Sequence, residues 1–226
     1  MNNLLHKTKK YWESDVSFIS LLVMLLVIVF ILPVLNDIQP DNSFLLNAMF
    51  IALFIIGIFS ARERVFVISS MIMISFHLGL RIIRFGDNPY EFYNLERIVI
   101  ILNLVLFMVI NLRLLFRDEE VNAYRIIGAV NVYLCMALVG AFGMELIHLY
   151  LGNSIEGNIE LTGMDKDFGD FMYFSLVSLS TVGFGDVHPT NTIAKMLSSF
   201  LSVVGILYPA VVIAKLVSYA SKNPNG

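Results

Sequence analysis

Along the chain, long apolar runs alternate with short polar breaks. The first run is Val16 to Leu35, "VSFISLLVMLLVIVFILPVL", with Pro33 near its far end. Further runs cover Phe44 to Ala61, Val65 to about Ile83, about Ile98 to Phe116, about Ile126 to Leu151, and Thr192 to Tyr219. Each approaches the roughly 20 apolar residues a helix needs to cross a bilayer, so six transmembrane helices are predicted. The breaks are rich in turn formers: "NDIQPDN", the charged link Arg62 to Arg64, and a loop holding Gly86, Asp87, Asn88 and Pro89. The stretch "RDEEVNAYR" predicts a short interfacial helix, with Val121 and Tyr124 on one face and Arg117, Glu120 and Arg125 in water. Before the last run lies "FMYFSLVSLS". At about ten residues it is too short to cross and reads as a re-entrant helix.

Composition agrees with this pattern. Of 226 residues, 58% are hydrophobic and 15% charged, more apolar surface than a soluble domain of this length hides. The net charge of −3 gives no basic face for nucleic acid. The one cysteine, Cys135, lies inside an apolar run and reads as a small buried residue. No nucleophile–base pair, metal-ligand spacing or phosphate loop is evident. The expectation is therefore no enzyme, no cofactor and no small-molecule substrate. The first run is too long for a signal-peptide core and reads as a retained helix. Basic residues, among them Lys7, Lys9, Lys10, Arg62, Arg64 and Arg113, concentrate on the side that also holds both termini. That side is therefore predicted to be cytoplasmic.

One stretch breaks the apolar pattern: "STVGFGDVHP", Ser180 to Pro189. Backbone that is neither helix nor barrel is tolerated at membrane depth only where protein buries it or water meets it. Glycine opens backbone angles closed to other residues. Alternation of glycine with other residues lets successive carbonyls point one way, and rings of carbonyls can replace the hydration shell of a monovalent cation.

"TVGFGD", Thr181 to Asp186, resembles the selectivity-filter signature of potassium channels, with phenylalanine where tyrosine is commoner. The resemblance covers roughly Phe168 to Ser218. "RIIGAVNVYL" and "GILYPAVVIAKLV" are similar to bacterial six-segment ion-channel proteins. It implies an all-α integral membrane fold: six transmembrane helices plus a re-entrant pore helix and filter loop, assembled as a tetrameric cation channel. The expected layout is a cytoplasmic tail (1–15), a four-helix membrane domain (16–118), a pore domain (119–220) and a second tail (221–226). By position, the carbonyls of Thr181, Val182, Gly183 and Phe184 would coordinate K+, with the Thr181 hydroxyl completing the innermost site. Gly185 would shape the outer mouth. Asp186 would sit behind the filter and accept a hydrogen bond from Tyr173, where the family usually has tryptophan. Phe184 lacks the hydroxyl that tethers the filter in many relatives, which predicts a less braced filter. The resemblance further implies a homotetramer among membrane lipids, in a bacterial inner membrane.

Gly205 stands where the family often has a hinge glycine, and Pro209 removes a backbone hydrogen bond one turn later. Helical spacing would turn Ile206, Pro209, Ile213 and Val217 to the axis. Glu156, Glu160, Asp165, Asp167, Asp170 and Asp186 would make the outer entrance acidic, opposed by Lys166 alone. Asp167 and Asp170 would also cap the re-entrant helix. Glu145 would brace the pore loop or simply sit at the interface. His188 would surround the mouth, with or without a sensing role. His77, Arg81 and Arg84 share a helical face. Snorkelling to headgroups is the favoured reading of that face, pairing with Glu91 or Glu96 the sharper alternative.

The fourth run argues against a voltage sensor. Between Arg97 and Arg113, "IVIILNLVLFMVINL" is uncharged, with Asn103 and Asn111 its polar residues. Steep voltage dependence needs about three or four gating charges per subunit. "ASKNPNG" follows the last run, so no nucleotide- or Ca2+-binding domain is expected there. The leading expectation is passive K+ conduction, weakly or not voltage-dependent. The alternatives are a poorly selective cation channel, a non-conducting channel-like membrane sensor, and the membrane part of a K+ uptake transporter.

Overall fold

The computed structural model describes residues 16–38, 43–60, 64–86, 92–117 and 123–222. The chain is mostly helical. The first run forms α1 (Val16–Leu26), a π-helical turn (Val27–Ile31) and α2 (Leu32–Ile38) in unbroken succession. Pro33 cannot donate a backbone hydrogen bond. The wider turn just before it is the usual way a helix absorbs such a defect. Then come α3 (Ser43–Ser60), α4 (Arg64–Gly86) and α5 (Tyr93–Arg117). The half expected to form the pore comprises α6 (Ala123–Leu151), β1 (Ile155–Gly157), a 3-10 turn (Met164–Asp167), α7 (Phe168–Leu179), β2 (Val187–Pro189) and α8 (Thr192–Lys222).

Among the described residues, five helical stretches are long and apolar enough to cross a membrane, while the apolar stretch of α3, Phe44–Ile58, is shorter. Helix α5 begins earlier than the apolar run, at Tyr93, because the polar residues of its first turn are buried against neighbours. Tyr124 and Arg125, assigned above to a separate interfacial helix, belong to α6. The rest of that proposed helix, 118–122, lies outside the described residues, as do both tails and Glu91. Two three-residue strands qualify the all-α expectation. β1 pairs antiparallel with β2, placing Ile155 opposite Pro189, Glu156 opposite His188 and Gly157 opposite Val187.

The core runs continuously from the four-helix half into the pore half. Helix α5 lies along α6 in the most extensive helix contact, and α1 also packs on α6. Phe50, Phe142 and Phe168, from α3, α6 and α7, meet in edge and tilted contacts with centroids 5.3 to 5.8 Å apart. Small residues set the closest approaches. A side chain on Gly57 would overlap the Phe107 ring, and one on Gly140 would overlap the Ser175 hydroxyl and Leu201. Buried amides act as polar glue between spans. Asn131 of α6 donates to the Phe18 carbonyl at 3.1 Å and to the Asn111 side chain of α5 at 3.4 Å.

Candidate functional site

Helix α7 ends in a cap that begins the filter loop. The Val182 N–H bonds the Val177 carbonyl and the Thr181 N–H bonds the Ser178 carbonyl, both at 3.1 Å. These paired bonds form a Schellman motif, whose left-handed position glycine usually fills. Here Thr181 fills it, with φ +60°. A β-branched residue is strained in that conformation, so its surroundings must enforce it.

The left-handed conformation then recurs at every second residue, at Gly183 (φ +56°) and Gly185 (φ +82°), while Val182 and Phe184 keep negative φ. Alternation of positive and negative φ is a backbone pattern that can turn successive carbonyls to one side of a strand. Among the described residues, no hydrogen-bond donor engages the carbonyls of Thr181, Val182, Gly183, Phe184 or Gly185. The segment is also open: Val182 is 54% and Phe184 69% exposed.

Both sides of this loop are fastened. The Tyr173 hydroxyl, from the middle of α7, donates to the Asp186 carboxylate at 2.6 Å. That bond raises the phenol pKa and keeps the proton on tyrosine. The Asp186 carbonyl accepts from the Asn158 N–H at 2.9 Å. Gly157 must be glycine, because a Cβ there would overlap the Asp186 carbonyl. The Thr190 N–H reaches the Ser154 carbonyl at 3.0 Å, and the Asn191 amide reaches the Asn153 carbonyl at 3.1 Å. The strand ribbon and these loop bonds hold the chain after the filter. Sequence reasoning missed the ribbon, whose one signal is the turn-forming "GNSIEGN".

Beneath the filter, α8 meets the carbonyl end of α7. The Ser202 hydroxyl donates to the Ser178 carbonyl at 3.0 Å, and the Ser178 and Ser198 hydroxyls are 3.1 Å apart. The Tyr133 hydroxyl of α6 approaches the Leu179 carbonyl at 3.4 Å. Gly205 is buried at this contact, and a Cβ there would overlap the Leu179 carbonyl oxygen. Close approach is therefore the visible requirement for this glycine. Helix α8 continues unbroken through Gly205 and Pro209. Ile206, Ile213 and Val217 are exposed on the face its own chain leaves uncovered, and Pro209 is half-buried.

The acidic entrance expected from sequence is reduced. Asp165 and Asp167 are buried, at 5% and 2% exposure. Asp167 does not cap α7. Its carboxylate instead accepts the Thr162 and Gly163 N–H groups at 2.7 and 2.8 Å, closing the loop before the 3-10 turn. Glu156, Glu160 and Asp186 stay exposed, Asp170 is half-buried, and exposed His188 faces Glu156 across the ribbon.

Asp165 belongs to a buried charged cluster that sequence reasoning did not assemble. Arg97 of α5 bonds Asp165, donates its Nε to Glu145 of α6 at 3.0 Å, and bonds the Tyr93 hydroxyl, which itself donates to Glu145. Glu145 thus touches the pore loop through Arg97 rather than directly. Arg81 of α4 reaches Glu96 at 3.1 Å and Asp165 at 3.8 Å. The snorkelling expectation fails for Arg81, which is buried, and the Glu96 pairing is the one observed. His77, edge-on to Phe54, has its Nε2 3.9 Å from Glu96. The Arg84 side chain lies outside the described residues.

Comparison with known proteins finds similarity over this half of the chain. Residues 126–222 fit the family model described as an ion channel. Potassium channel K2 of Plasmodium berghei (strain Anka) is 34% identical over 84 residues, 37% of this chain and 5% of that protein. Potassium channel K2 of Plasmodium falciparum (isolate 3D7) is 32% identical over 80 residues, 35% of this chain and 5% of that protein. The matched stretch is thus a small part of these relatives. No solved structure matches. The stretch from α6 to α8 is thus similar to the ion-channel family and to part of these potassium channels, within a chain whose apolar helices mark an integral membrane protein.

Proposed function

We propose that the chain conducts K+ passively through a filter formed by Thr181, Val182, Gly183, Phe184 and Gly185. The observation that carries this reading is the left-handed backbone at 181, 183 and 185 beside carbonyls that no donor among the described residues engages. An unpaired carbonyl in a low-dielectric setting is costly unless a ligand meets it. Five in succession, aligned by the backbone, suit a dehydrated cation. The Thr181 hydroxyl adds an oxygen at the inner end.

A single strand cannot encircle an ion, so the conducting form is a homotetramer with the filter at its four-fold axis. Burial supports assembly: 17% of the spanning window of α8 is covered within the chain, against 61% for α6. The uncovered Ile206, Ile213 and Val217 would then line the inner cavity with Pro209, and Gly205 and Pro209 would mark the gating bend. An apolar constriction there would close by dewetting. Both termini are placed in the cytoplasm by the distribution of basic residues.

Voltage dependence is weak in this reading. Each gating charge contributes about 2.3 kcal/mol per 100 mV. The centre of α5 carries none, and Arg97 at its start is held by Glu145 and Asp165. A steep gating-charge curve from the purified channel in bilayers would overturn this point.

Reconstitution into liposomes tests the main reading. K+ flux is expected from the unaltered chain and is expected to vanish for Gly183→Asp while the tetramer still elutes intact. Equal flux from both proteins would sink it. A second reading, a poorly selective cation channel, is favoured by Phe184 alone, whose ring cannot form a hydroxyl tether. Reversal potentials in mixed Na+ and K+ separate the two.

A further inference from the structure

Deepening the proposed conduction, and resting on it, we propose that Arg97 is a positioning residue through which the four-helix half sets how long the filter stays conductive. Arg97 is 1% exposed and joins three elements. Its own helix, α5, belongs to the four-helix half. Glu145 lies on the outer pore helix α6, and Asp165 lies in the 3-10 turn that runs directly into α7. Tyr93 and Phe142 enclose the guanidinium, 4.3 and 5.3 Å from its carbon to their ring centroids. Such enclosure leaves it a single position.

The same turn is held from α2. Asn36 donates to the Asp165 and Lys166 carbonyls at 2.9 and 3.2 Å. The origin of the pore helix is therefore placed by side chains from outside the pore half. Helix α7 is twelve residues long and ends on the cap that contains Thr181. It also carries Tyr173, which holds Asp186 beyond the filter. One short helix thus grips both ends of the filter, and its starting point is set by Arg97. A helix this short moves as a rod, so a shift at Asp165 reaches Thr181 and Tyr173 together. Thr181 occupies a conformation its side chain disfavours and persists only while its frame is fixed. Releasing the Arg97–Asp165 pair frees that frame and lets the filter relax out of its carbonyl alignment.

Full-length channels in liposomes and planar bilayers test this. Asp165→Asn keeps shape and removes charge, and Arg97→Gln removes the partner. Both are expected to retain the unaltered unitary conductance and K+ preference, with severalfold faster decay of conduction after activation. Raised K+ is expected to slow that decay, because ions bound in the filter stabilise the aligned state by mass action. The double variant should decay no faster than the worse single one, since both act through one pair. Arg113→Gln, at the other end of α5, should leave decay unchanged. A purely structural role would reduce the number of channels without altering their decay, and that result overturns the proposal. If Arg97→Gln fails to assemble, Asp165→Asn decides. If neither assembles, the pair is a folding determinant and the proposal fails. An unaltered chain that carries no K+ refutes the conduction reading itself. Conducting variants with unchanged decay refute only the role of Arg97.

Discussion

The charged cluster and the filter treat their polar groups in opposite ways. Around Arg97, buried charges from α4, α5, α6 and the 3-10 turn are matched by one another. In the proposed filter, five consecutive carbonyls have no hydrogen-bond donor among the described residues, and the backbone is left-handed at 181, 183 and 185. Matching satisfies the cost of burial, while leaving groups unmatched reserves them for a ligand. The first region therefore fixes geometry, and the second is the one the proposed function assigns to recognition. Tyr173 and Asp186 lie between them, using one hydrogen bond to hold the unmatched loop in place.

The contrast can be broken from either side. The largest effect on stability is expected from Arg97→Ala, which leaves Glu145 and Asp165 buried without their partner. Breaking a buried pair this way costs about 3–5 kcal/mol. Loss of tetramer in mild detergent at a temperature the unaltered protein withstands would show it, and unchanged thermal stability would contradict it. Next comes Gly205→Ala. The added methyl collides with the Leu179 carbonyl, a backbone atom that cannot turn aside. Overpacking of this kind costs about 1–3 kcal/mol. If Gly205 served only as a hinge, alanine would alter gating and leave thermal stability in place, so measuring both separates the two roles. The smallest change in stability is expected from Tyr173→Phe, because the Asp186 bond is open to solvent in the single chain. Its effect should show in conduction, as faster decay at the same K+ preference. A Tyr173→Trp replacement, which restores a donor, should recover the slow decay.

Much of the pore half was legible because its signals are local. The length of "FMYFSLVSLS" marks a helix that cannot cross, and the glycines of "TVGFGD" mark backbone freedom. The Tyr173–Asp186 bond, which the resemblance implies, joins a donor and an acceptor on either side of one short loop. Signals failed where partners are distant in the chain. Arg97 and Asp165 are 68 positions apart, Asn36 and Asp165 129. Asp165 and Asp167 looked like surface charges, since nothing near them in sequence announces burial. Gly205 has a close-approach requirement that the sequence does not announce, since the Leu179 carbonyl that excludes a side chain comes from another helix.

By itself the sequence determined the membrane setting, the short helix, and the glycine-punctuated loop that departs from helix after it. Those follow from hydrophobic length and from the angles glycine permits, which depend on neighbours along the chain. Only the tertiary structure decided which charges are buried together, which glycine is needed for close approach, and how the four-helix half reaches the start of the pore helix. Electrostatic pairing and steric exclusion depend on distance in space, and folding sets that distance through contacts that no local stretch of sequence contains.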